Sequence, residues 1–170
     1  MAHPLFARLD RQFELVKGEL ANAVEADRRF GTLRRRAARR KADRDLYHEW
    51  SHNASLADGI SALYTGIESI LEAVGNEIDE YTPRGDASHA DLVDGMAVEV
   101  KNVRPAVLSE STRALMHEVR KFRHVVRHKY ALQLRRRDVA RNFARATKLV
   151  AAFGRDWRRF TRAMLAEEQP

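Results

Sequence analysis

From Leu56 to Ile78 apolar side chains return at every third or fourth position: Leu56, Ile60, Leu63, Tyr64, Ile67, Ile70, Leu71, Val74 and Ile78. A stripe of that period belongs to one face of an α-helix, and a face so apolar needs neighbouring helices to cover it. The spacing predicts a helix from near Leu46 to the TPRGD turn at Thr82–Asp86, where Pro83 and Gly85 break the period. Period-two alternation, the mark of a half-buried strand, is absent, and only 8 Gly and 4 Pro interrupt the 170 residues.

The rest of the chain follows the same rule. Leu5, Leu9, Phe13, Val16, Leu20 and Val24 form one stripe behind Pro4, predicting an N-terminal helix over 4–30. Ser88 with Asp91 three residues on resembles a capping box, and a short helix through Leu92, Met96 and Val100 is expected, closed by Pro105. A fourth helix starts near Ser109–Ser111 with Leu115, Val119, Phe122 and Val126 on its apolar side. Val139, Phe143, Thr147, Val150, Phe153, Trp157, Phe160 and Met164 mark a fifth. The expected fold is all-α, an antiparallel bundle of about five helices. The length suits one domain over 1–170, with a basic connector at 31–45 and the bundle core at 46–165. In the segment at 31–45, Arg34, Arg35, Arg36, Arg39, Arg40, Lys41 and Arg44 read either as a solvated helix end or connector, or as a nucleic-acid contact.

Charge narrows the partners. The 31 Lys and Arg against 24 Asp and Glu leave +7, which favours RNA, DNA or an acidic protein surface. With no cysteine there is no disulfide, thiolate metal site or cysteine nucleophile, as suits a reducing cytoplasm. The opening residues meet charge at Arg8 and Asp10 before any apolar run long enough for a signal peptide or membrane span, so no membrane partner is expected.

Chemistry concentrates in RKFRHVVRHKY, residues 120–130. On one helix at about 100° per residue, Tyr130 lies within about 20° of Arg123, and Arg127 lies about 40° to the other side. His124 and His128, four apart, share a face roughly opposite the apolar one, and Val125 beside them hints at a cover from a second subunit. Arginine grips phosphate through planar charge-assisted hydrogen bonds, so Arg120, Arg123, Arg127 and Lys129 are candidate phosphate contacts. Histidine can take a proton from a 2′-hydroxyl or return one to a leaving oxygen. Arg123 and His128 stand about 140° apart, so joint action on one phosphate needs a distorted helix end or a two-fold axis. Spacing alone leaves open an ordinary basic helix face. It also leaves a zinc pair at His124 and His128, disfavoured because Val125 replaces the glutamate of a zinc-protease motif and Lys121, Arg123, Arg127 and Lys129 repel a divalent ion. His48, His52, His89 and His117 are scattered and read as surface polar residues. Glu68 reads as a helix-edge glutamate, though that position also allows it to orient a catalytic group.

Arg123-His124-Val125-Val126-Arg127-His128-Lys129-Tyr130 resembles the R-x4-H-x-Y signature of the HEPN superfamily. Together with SALYTGIESILEAVGNEIDEYTP and the Arg104-Pro105 pair, in this order, it is similar to HepT-like ribonuclease toxins over roughly residues 45–165. The resemblance implies a homodimeric helical toxin that cleaves RNA without metal or cofactor and leaves a 2′,3′-cyclic phosphate. Arg123 and His128 of both subunits would line a composite cleft, with His124 in support. It also implies a minimal nucleotidyltransferase antitoxin as partner, which silences the toxin by transferring AMP from ATP to Tyr130. The alternative is a non-catalytic HEPN-like module that binds nucleic acid or protein through its basic surface.

Overall fold

The computed structural model describes residues 4–39, 46–85, 88–128 and 134–167. They form five helices: α1 (Pro4–Arg39), α2 (Leu46–Glu77), α3 (Ser88–Met96), α4 (Glu110–His128) and α5 (Arg136–Glu167). Among the described residues the only strand-like pairing is an isolated bridge between Val100 and Arg104. No helix among them is long and apolar enough to cross a membrane.

The core follows the sequence stripes. Leu56, Ile60, Leu63, Tyr64, Ile67, Ile70, Leu71 and Val74 are buried along α2, which touches each of the other four helices. α1 runs antiparallel to α5: Phe6 meets Phe160 edge-on at 6.0 Å, Phe13 meets Phe153 at 5.1 Å, and Trp157 Nε1 donates to Asp10 at 2.7 Å. Edge-to-face rings of this kind add roughly 0.5–1.5 kcal/mol per pair beyond their buried area. α1 also runs antiparallel to α2. At Gly66 a β-carbon would lie 2.4 Å from Val16 Cγ2, so the close approach of the two helices depends on glycine there. α4 and α5 are antiparallel too, tied at one end by Ser109, whose backbone N–H and hydroxyl reach Asp156 Oδ2 at 2.8 and 2.7 Å. Ser109 Oγ also accepts from the Thr112 N–H, so one serine caps α4 and fastens it to α5.

Three expectations change. The first helix does not end at residue 30 but continues to Arg39, because arginine and alanine are good helix formers and nothing in GTLRRRAAR is strong enough to stop it. Arg34, Arg35, Arg36 and Arg39 are thus a helix end, whereas Arg40, Lys41 and Arg44 lie outside the described residues. Second, α3 ends at Met96, and Val100 is not part of it. The carbonyls a continuing helix would use are already engaged. Gly95 O accepts from Arg104, and Met96 O accepts from the Val107 and Leu108 N–H groups at 2.9 and 3.0 Å. Asn102, at φ 62, then turns the chain back. Third, the inward face of α4 centres on Thr112, Met116, Val119 and Phe122, leaving Leu115 and Val126 only partly covered. That rotation brings Arg123 towards the core side of the helix.

Candidate functional site

Tyr64 and Glu68 are one turn apart on α2 and therefore share the face that α4 crosses. Glu68 is buried rather than lying at an exposed helix edge, its side chain 4% exposed. Arg123 Nη1 lies 3.8 Å from Glu68 Oε2, and the Arg123 side chain is 17% exposed. The same guanidinium sits over the Tyr64 ring, 5.4 Å from its centroid. A gap of 3.8 Å is too long for a hydrogen bond, so the attraction is Coulombic and the guanidinium N–H groups are not used up by it. From α3, His89 Nδ1 donates to the other Glu68 oxygen at 2.9 Å. The buried carboxylate is thus shared between an arginine and a histidine from two different helices.

Tyr64 is fully enclosed, and among the described residues its hydroxyl has no partner at full hydrogen-bond geometry, the Glu68 carboxylate being near enough to act on it. Burial pushes that hydroxyl well above the ordinary tyrosine range, and the Glu68 carboxylate adds to the rise, while Arg120 and Arg123 pull the other way. It remains a neutral floor under the guanidinium. Arg120, expected as a phosphate contact, is half-buried with its Nε enclosed and unpartnered, and its charge reaches Tyr64. His124 and Arg127 are exposed on the outer side of α4. Val125 lines a groove with Lys121, Leu134 and Arg135, so its neighbours come from this chain's own α5 end. No second subunit is needed to account for it.

His128 is the last residue of α4, and its side chain lies outside the described residues, as do Lys129 and Tyr130. Because α4 is helical from Glu110 through His128, the backbone positions of Arg123 and His128 keep their offset of about 140°. Of the two ways to bring them together, a distorted helix end is therefore not what this chain adopts before residue 129.

The scattered histidines are more engaged than their spacing suggested. His52 is buried, stacked on Phe30 at 4.0 Å and paired with Asp27 at 3.0 Å. Burial lowers its pKa; Asp27 opposes that shift and the Arg136 charge reinforces it. His117 is bonded to Asp94 Oδ1 at 2.8 Å. One donor atom each from Glu68, Glu72 and His89 falls within 4.8 Å of the others, which makes this the group among the described residues able to hold a cation. Arg123 already answers the Glu68 charge from the same side. None of these pairings could be read from spacing, because each joins helices distant in sequence; the one local signal was a glutamate four residues after a tyrosine in the most apolar stripe.

Compared with known families, residues 55–164 match the model of a family described as HepT-like protein, a span that takes in Tyr64, Glu68, His89, Arg123 and His128. No curated protein matches the chain, and neither does any solved structure.

Proposed function

The chain belongs to the HepT-like family, and on that premise we propose that it is the toxin of a two-gene toxin-antitoxin pair and a metal-independent endoribonuclease of the cytoplasm. The observation that supports this most is the state of Arg123. On α4 it is held by a buried carboxylate and an aromatic face that α2 supplies, yet its N–H donors make no hydrogen bond among the described residues. A largely desolvated guanidinium with unused donors suits an anion that arrives with the substrate, because the charge that develops on a phosphorane meets a group already oriented.

The step balances without metal or cofactor. The 2′-oxygen attacks the adjacent phosphorus, and a histidine takes its proton. Arg123 holds the non-bridging oxygens, the bond to the 5′-oxygen of the next nucleotide breaks, and that oxygen leaves with a proton from a second histidine. The products are a 2′,3′-cyclic phosphate and a 5′-hydroxyl. His128 acts as acid-base group with His124 in support, and the two histidines come from two chains of a homodimer whose motifs face one another. Arg127, Lys129 and Arg120 bind the flanking phosphates. A nucleotidyltransferase antitoxin silences the site by adding AMP to Tyr130, since phosphates placed there would occupy the cationic cleft and repel RNA.

Two measurements test this. The purified protein should run as a dimer and cleave RNA in EDTA, and His128→Ala should abolish cleavage while leaving the dimer intact. Full activity of that variant sinks the ribonuclease, and binding without any cleavage products by the unaltered protein favours the non-catalytic module. Co-expression with a neighbouring nucleotidyltransferase gene should add mass in steps of AMP that vanish in Tyr130→Phe.

A further inference from the structure

The far end of the bundle carries a second group of arginines. Along α1 no acidic residue follows Asp27 before Arg39, and the run from Leu134 to Arg137 is equally free of acids. Several arginines on the same helices are paired: Arg28 and Arg29 with Glu25, Arg141 with Asp138, and Arg145 with Glu118. Among the described residues no carboxylate lies within ion-pair distance of Arg34, Arg35 or Arg136. These three line one cleft of about 250 Å³ with Gly31 and Ala38, small residues seven apart on one face of α1. The Arg136 guanidinium sits 6.0 Å from the Phe30 ring centroid, and Phe30 is stacked on buried His52, so a packed node holds the two helix ends together. Bringing cations from two elements to one cleft, with no acid among its described lining residues, costs Coulombic energy that an anionic ligand would offset.

The cleft is separate from the motif but lies beyond it. Glu68, which meets Arg123, and His52, which feels the Arg136 charge, are sixteen residues apart on α2, about 24 Å along its axis. α4 runs antiparallel to α5, so the path from Arg123 to His128 points towards this end. Arg136, eight residues after His128, is within about 28 Å of it along the chain.

We propose that Arg34, Arg35 and Arg136 form a phosphate-binding cleft that grips the backbone of single-stranded RNA several nucleotides away from the scissile bond. The proposal rests on RNA being the ligand of the motif. α1 lies outside the span that matches the family, so this grip belongs to the N-terminal helix of this chain. RNA is favoured over an acidic protein because the cleft lies at the end of the bundle towards which the motif helix runs, where a strand leading away from the scissile bond would pass.

The test is a salt titration of binding to a labelled 20-nucleotide oligouridine, in a His128→Ala background that prevents cleavage. Replacing Arg34, Arg35 and Arg136 together by Ala should lower the slope of log K against log salt by about 2, with roughly ten-fold or greater loss of affinity at low salt. The same three changed to Lys should keep the slope, which separates lost charge from lost folding. With His128 intact, the triple Ala variant should cleave a dinucleotide at the normal rate, because that substrate cannot span about 24 Å, and should cleave long RNA with a raised KM. Unchanged slope and affinity in the triple Ala variant overturns the proposal. So does a loss confined to a polyglutamate probe, which would assign the cleft to an acidic protein. Absence of cleavage by the unaltered protein would instead refute the ribonuclease and leave the binding result standing.

Discussion

Two arginines are drawn into the bundle, and they are treated in opposite ways. Arg104 has a side chain 1% exposed and spends all five of its N–H donors. Nε and Nη2 hold Asp79 in a fork at 2.6 and 2.8 Å, Nη1 bonds Val98 O and Pro105 O, and Nη2 also reaches Gly95 O. Arg123 has one carboxylate at 3.8 Å, an aromatic ring beneath it, and no hydrogen bond among the described residues. A guanidinium with every donor engaged closes a loop and has nothing left for a ligand. One that is charged, oriented and unsatisfied has donors that a ligand can still use. Burial alone does not set these two arginines apart; the count of engaged donors does.

The comparison can be broken most forcefully at Arg104. Arg104→Ala strands the Asp79 carboxylate and the Val98 and Pro105 carbonyls, and should cost about 3–5 kcal/mol of stability, read by urea denaturation. Arg104→Lys should recover little, because an ammonium cannot reproduce the fork. Arg123→Ala should behave in the reverse manner: RNA cleavage falls by about 10²–10³, while the denaturation midpoint shifts far less than in Arg104→Ala. Equal destabilisation by the two would erase the distinction.

Glu68→Gln sharpens the picture at smaller scale. It removes the charge that orients Arg123 but keeps the shape, so cleavage should fall on the order of ten-fold with little change in RNA affinity at low salt. The mildest effect is one of pH, at the tie between α4 and α5. Burial by itself would raise the Asp156 pKa, but hydrogen bonds from Thr112 and Ser109 and the Arg159 charge hold it below the ordinary 3.8. A carboxylate depressed in the folded state binds its proton more readily when unfolded. Its stabilisation is therefore complete above 3.8 and is lost as pH falls through the folded value. The stability difference between pH 7 and pH 3, read from denaturation curves, should be smaller in Asp156→Asn than in the unaltered protein.

The helices and most of their buried faces were legible in the residues, because a period of three to four is a property of each segment by itself. Leu56 to Val74 could be placed in the core, and the starts of α2 and α4 located, without reference to any other part of the chain. The helix under Arg123 was legible for the same reason, whereas the motif came from its resemblance to a family signature and not from any period. What only the tertiary structure decided was which polar groups the packing encloses. Glu68 became the buried partner of Arg123, His89 joined it from α3, His52 sank onto Phe30, and Arg104 stopped α3 at Met96 rather than letting it run to Val100. Each of these links residues 9 to 55 positions apart, or turns on how one helix rotates against another, and a local period carries no information about either.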